Sequence, residues 1–144
     1  MNLEIIEKPF HLVLYGFSGT AQNEDYAGAA FKLMDKMWQI VKANHLNNKG
    51  RNIWVYEPDK KVFAGVELEK PYEGTDLEKK AITLDQYAWY KHIGPYNLIK
   101  KAGLAMQEEL EKTGIEVRLP YIEIYGHWTN DETKLETELL MAVK

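Results

Sequence analysis

The chain has 144 residues, 45% of them hydrophobic and 28% charged, enough for one buried core and too few for two domains of ordinary size. Its 18 basic and 22 acidic residues, net charge −4, are spread along the sequence, so no basic footprint awaits a phosphate backbone, and no apolar run approaches the roughly 20 residues that span a bilayer. Cysteine is absent, which excludes disulfides and thiolate chemistry, whereas nine Tyr, four Trp and four Phe raise the aromatic content to 12%, suiting a sheet core or a pocket for flat or cationic ligands.

The opening residues Met1 to Glu7 include two glutamates and lack the basic start and apolar block of a secretory signal, so a cytoplasmic location is expected. Residues 3–17 alternate weakly and read as a strand, broken near Gly16 and Gly19. A helix follows, with Asn23 as the expected N-cap and Tyr26, Ala30, Leu33, Met34, Met37 and Val41 at helical spacing, ending near residues 47–50. Residues 53–56 and 62–68 read as a hairpin around the Pro58-Asp59-Lys60 turn. The charged stretch 69–80, with Pro71 and Gly74, reads as a linker.

The order then repeats. Residues 81–92 form an aromatic-rich strand ended by Gly94-Pro95, and Pro95 is expected to open a helix whose apolar face carries Leu98, Ile99, Ala102, Ala105, Met106 and Leu110, stopping at Gly114. Residues 121–128 and 135–143 supply the last two strands, with the turn at 129–132 between them. The reading is one α+β domain over 1–144, made of duplicated strand-helix-strand-strand repeats at about 1–70 and 81–144. Together they form an antiparallel sheet with two helices on one face and a groove between them. Aligned at the third strand, Trp54 falls opposite Glu123.

Within Tyr121-Ile122-Glu123-Ile124-Tyr125, strand alternation puts a carboxylate between two tyrosines on one face and two isoleucines on the other. Desolvating such a carboxylate is costly unless a protein cation, Lys91 for instance, or a ligand cation pairs with it. The pocket reading therefore requires Glu123 to face the helices. If the isoleucines did so, the carboxylate would face water. Tyr121, Tyr125, Trp54, Tyr56 and Trp89 are candidate walls. At about 0.5–2 kcal/mol per cation–π contact, two or three rings and the carboxylate suffice for micromolar affinity.

The segments Tyr90-Lys91-His92-Ile93-Gly94-Pro95-Tyr96, Pro120-Tyr121-Ile122-Glu123-Ile124-Tyr125 and Glu136-Thr137, with Met37-Trp38, Val55-Tyr56 and Phe63-Ala64-Gly65-Val66-Glu67 in the first half, give the chain a pattern that resembles the GyrI-like small-molecule-binding family. That family includes effector-binding domains of multidrug-responsive bacterial transcription activators. The resemblance covers nearly the whole chain and implies aromatic, often cationic, ligands held between the helices above a buried glutamate, by motif position Glu123. Some stand-alone members are hydrolases of toxic electrophilic natural products. On that alternative Glu123 is the catalytic base, and Tyr125 or Tyr90 donates the proton. Gyrase-inhibiting relatives imply a third, a protein-interaction inhibitor module.

The chain departs from many relatives in the second helix, where Gly103 to Met106 replace a tryptophan. With the whole chain used by the ligand-binding module, no DNA-binding segment and no direct nucleic-acid contact are expected. Neither cofactor nor metal is expected, since no His and carboxylate have ligand spacing and no phosphate-binding or dinucleotide glycine loop occurs. His92 reads as a structural residue of the strand–helix turn, and Ser18 has no catalytic company. Sequestration, sensing through a separate protein partner and hydrolysis all remain open, as do the natural ligand and the oligomeric state.

Overall fold

Alternating and helical apolar spacings resolve into eight strands and two helices in the computed structural model, which describes residues 1–144. In chain order these are β1 (Glu4–Ile6), β2 (Phe10–Thr20), α1 (Tyr26–Ala43), β3 (Ile53–Glu57), β4 (Lys61–Val66), β5 (Glu78–Leu84), β6 (Tyr87–Ile93), α2 (Ile99–Lys112), β7 (Val117–Tyr125) and β8 (Glu136–Val143). The long strand expected over 3–17 is two strands, interrupted where Pro9 lacks the N–H a ladder needs. The one expected over 81–92 is also two, parted at Asp85-Gln86, and β5 reaches back to Glu78 into the expected linker.

Helix boundaries shift for local reasons. Asn23 and Glu24 adopt left-handed backbone with φ of 53° and 60°, so the cap of α1 falls on Asp25, whose carboxylate accepts from the Gly28 amide at 3.0 Å. The helix ends at Ala43, earlier than expected. Pro95 caps a short 3-10 turn, Tyr96–Leu98, and α2 proper begins at Ile99.

All ladders are antiparallel, and the strands lie in the order β1-β6-β8-β7-β3-β4-β2-β5. The order is unchanged when read from the other end with each strand exchanged for the one four places along the chain. β1 and β2 stand six places apart, about 29 Å in a flat sheet, yet the link from Ile6 to Phe10 reaches no more than about 14 Å. The sheet must therefore roll up. The bent strand β1–β2 pairs along its length with the bent strand β5–β6, from Glu4↔Trp89 to Gly16↔Glu78, which brings the two ends of the sheet together.

Rolling makes one sheet face an interior, filled by Leu12, Leu14, Ile53, Val55, Phe63, Ile122 and Ile124 among others. Gly16 and Gly65 oppose each other there, and a Cβ on Gly16 would overlap the Ala64 carbonyl oxygen, so the two strands approach only because both positions lack a side chain. Both helices pack on the outer face. α1 sets Met37 and Val41 on Tyr15, Phe17 and Val66, and α2 sets Ile99, Met106 and Leu110 on Ala88, Leu139 and Met141. Met37 and Met106 are fully buried, each contributing about 1.5–3 kcal/mol. No helix is long and apolar enough to cross a membrane.

Candidate functional site

The central ladder β3–β7 pairs Trp54 with Glu123 and Tyr56 with Tyr121. Paired residues share a face, so these four side chains and Tyr125 all lie on the outer, helix-bearing side, while Ile122 and Ile124 enter the interior. Glu123 is thus under the helices, at 6% exposure.

Three tyrosine hydroxyls converge on its carboxylate. Tyr125 donates to Oε1 at 2.7 Å and Tyr56 to the same oxygen at 3.1 Å, while Tyr121 donates to Oε2 at 2.9 Å. None of the chain's salt bridges includes Glu123. Burial raises its pKa above the ordinary 4.5, and the bonds from Tyr125, Tyr121 and Tyr56 pull it back part of the way. The three phenols are pushed above their usual 10.0, first by burial and then by the Glu123 charge, so they remain donors at any physiological pH. The result is a desolvated acid held by neutral groups alone, arranged to meet a ligand cation or to take a proton from a water.

Aromatic rings flank it in two groups. Phe31 of α1 meets Trp54 edge-on at 5.0 Å between centroids, Trp54 meets Tyr125 at 4.9 Å, and Tyr125 meets Tyr96 at 5.5 Å. Tyr56 stacks on Tyr121 at 5.6 Å with 19° between planes, and its other neighbour is Tyr26 at 5.9 Å. The first group is open at its ends, Phe31 at 53% exposure and Tyr96 at 40%. Above Tyr121, α2 carries Gly103, where an added Cβ would stand 3.3 Å from the phenol oxygen.

Of the residues singled out from the sequence, Glu123, Tyr121, Tyr125, Trp54 and Tyr56 come together. Trp89 does not. It pairs with Leu140 on the inner face, packs against the interior cluster and donates from Nε1 to Glu138 at 2.8 Å. Tyr90 is on the outer face, but Leu139 stands between it and Glu123 across the ladders. Lys91 bonds Glu136 at 3.0 Å instead of Glu123, and His92 Nε2 lies 3.1 Å from the Pro95 carbonyl oxygen, holding the strand–helix turn. Sequence reasoning missed Phe31, Tyr26 and Tyr96. Phe31 carried a signal: a large apolar residue one position off the buried stripe of its helix.

Trp54 is 5% exposed and its indole N–H has no hydrogen-bond partner, an arrangement that costs about 1–3 kcal/mol while it stays unmet.

No sequence-family profile matches the chain, and no curated protein matches it significantly by sequence. Solved structures do match. The C-terminal domain of EcmrR superposes with a TM-score of 0.77 at 17% identity, over 100% of this chain and 99% of that domain. SAV2435, in a structure bound to tetraphenylphosphonium, gives 0.67 at 18% identity over 100% and 94%. A hydrolase from Listeria innocua gives 0.55 at 15% over 99% and 91%. At these identities the likeness establishes the fold: the chain has the fold of the EcmrR C-terminal domain, in line with the GyrI-like architecture that the sequence resemblance implied.

Proposed function

We propose that this protein binds small aromatic or amphipathic compounds, cationic ones foremost, against Glu123, and serves in sensing or sequestration. The observation that carries this reading is the carboxylate itself, buried among aromatic rings with three hydroxyl donors and no cation of its own. Three donors stabilise the charge without cancelling it, so a lipophilic cation gains from Glu123 and from the ring faces of Tyr56, Tyr125 and Trp54 together. Support also comes from SAV2435, a protein of the same fold that is seen with tetraphenylphosphonium. The mirrored strand order supports the companion proposal that residues 1–70 and 81–144 are duplicated units of a single domain.

Tryptophan fluorescence titrated with rhodamine 6G and tetraphenylphosphonium, for wild type and Glu123→Gln, tests the proposal. Saturable quenching that weakens about tenfold in the variant, about 1.4 kcal/mol, is the expected result. Absence of quenching in wild type, or equal affinity in both proteins, refutes it.

Hydrolysis is the second reading. It is favoured by the raised pKa of Glu123, by the Tyr125 hydroxyl in direct contact with it at 2.7 Å, and by the shared fold with a Listeria innocua hydrolase. Glu123 would draw a proton from water as the water attacks an electrophilic carbon, and Tyr125 would donate to the leaving atom. In that case Glu123→Gln keeps part of the affinity and loses turnover. A binding protein shows no turnover in either form, and an interaction module tolerates the change.

A further inference from the structure

Two buried side chains in the molecule leave a polar atom without a partner, Trp54 at Nε1 and Thr137 at Oγ1. Both are on the outer face, Trp54 opposite Glu123 and Thr137 opposite Tyr125. The threonine hydroxyl can donate or accept, so it selects no ligand chemistry. The indole N–H can only donate.

The other tryptophans make the unpaired N–H of Trp54 informative. Trp38, half-buried, donates to Asn52 Oδ1 at 2.5 Å, and Trp89, also half-buried, donates to Glu138 at 2.8 Å. Trp128 is 73% exposed and has solvent. The most deeply buried indole is the one left unpaired, and it stands across the ladder from the one buried carboxylate. Residues directly opposed in a ladder have Cβ atoms about 5 Å apart, so one small molecule can meet both groups. Glu123 asks for positive charge. Trp54 asks for an acceptor, and beside a carboxylate that acceptor has to be neutral, because an anionic one would be repelled.

We infer that Trp54 selects, among aromatic cations, those bearing a neutral oxygen acceptor close to the cationic centre: esters, amides, ketones or aryl ethers. The inference rests on the cation-pocket reading and goes further by naming a second pharmacophore and the donor that reads it. A hydrocarbon cation satisfies Glu123 and leaves the indole N–H unmet. An oxygen-bearing analogue of the same shape satisfies both, and the gain in affinity is confined to proteins that carry the indole.

The test compares tetraphenylphosphonium with its three isomers bearing one methyl ester on one ring, by calorimetry on wild type, Trp54→Phe and Glu123→Gln. At least one ester is expected to bind wild type about tenfold tighter than the parent, about 1.4 kcal/mol. That advantage disappears in Trp54→Phe, whereas Glu123→Gln weakens all four cations alike. Indole N–H resonances of the wild type give a readout independent of any variant. The Trp54 signal moves downfield with the favoured ester and stays near its free position with the parent cation. If parent and esters bind wild type equally, or the ester advantage survives in Trp54→Phe, the inference is overturned while the cation pocket stands. If none of the four binds, both fall.

Discussion

Tyr125→Phe removes a single oxygen and leaves the ring contacts to Trp54 and Tyr96 in place. That oxygen makes the shortest of the three bonds to Glu123, at 2.7 Å, and without it Oε1 keeps only Tyr56 at 3.1 Å. A hydrogen bond to a charged group is worth about 1.5–3 kcal/mol, so a loss of about 2 kcal/mol is expected above the raised Glu123 pKa, where the carboxyl is ionised. For a domain of this size that lowers the thermal midpoint by about 7 °C. The loss is also expected to depend on pH. Glu123 has a folded pKa raised by burial above its ordinary 4.5, so its contribution to stability is fully present below the ordinary value and is lost as pH rises through the raised one. Removing the Tyr125 hydroxyl raises the folded value further and enlarges the loss on the alkaline side only. Urea unfolding of both proteins at pH 8 and pH 4 measures this: the gap between them is expected to be large at pH 8 and small at pH 4. A gap of equal size at both would refute the picture of a hydroxyl holding a buried charge.

Three further outcomes are expected. Glu123→Gln removes the raised carboxyl, so its stability relative to wild type should increase from pH 4 to pH 8, by about 1.4 kcal/mol for each unit of pKa elevation; matched denaturation curves at the two pH values check it. Lys60, with φ of 61° in the β3–β4 turn, uses its backbone oxygen for the Ala21 amide at 2.8 Å, so Lys60→Gly relieves left-handed strain without losing that bond. It should stabilise by about 0.5–1 kcal/mol after the entropy that glycine adds to the unfolded chain, visible as a higher calorimetric midpoint. Gly103→Leu places a side chain against the Tyr121 hydroxyl; ligand affinity by quenching should fall at least about tenfold while the thermal midpoint stays within a few degrees.

What could be read from the sequence was local. The 3.6-residue spacing found both helices, and the two-residue spacing separated Glu123 from its flanking isoleucines, because each pattern is written in neighbouring residues. Trp54 and Glu123, equivalent positions when the halves are aligned, are also paired with each other in the central ladder, which no alignment of the halves could show. Closure of the sheet was not legible, since it depends on pairing Glu4 with Trp89 and Gly16 with Glu78 over long sequence separations. The first three residues of β5, Glu78-Lys79-Lys80, resembled a linker because they are charged and none of them is buried, whereas Ile82 and Leu84 further along the strand are. Trp89 was misplaced for a related reason. Composition marks an aromatic strand, but the face each ring takes is decided by its partner, and the partner Leu140 belongs to the interior.

The choice of tyrosines around Glu123 bears on why a buried acid is kept here at all. A lysine or arginine in contact would satisfy the carboxylate and lower its pKa, but it would also cancel the charge and leave nothing for an incoming cation. No donors at all would leave burial to protonate the group, with the same loss of attraction. Three phenols take an intermediate course. They fill three of roughly four acceptor sites on the carboxylate and stay protonated themselves, their pKa values pushed upward by burial and by Glu123. Above the raised pKa the carboxylate is therefore charged and desolvated, with its ring neighbours already in place. On the proposed reading, a cation approaching from the exposed rings Phe31 and Tyr96 would meet an unneutralised charge in surroundings where Coulomb attraction is less screened than in water. On that same reading, the stability given up to hold Glu123 ionised is recovered when a cation binds, so pH and affinity should change together in the tyrosine variants.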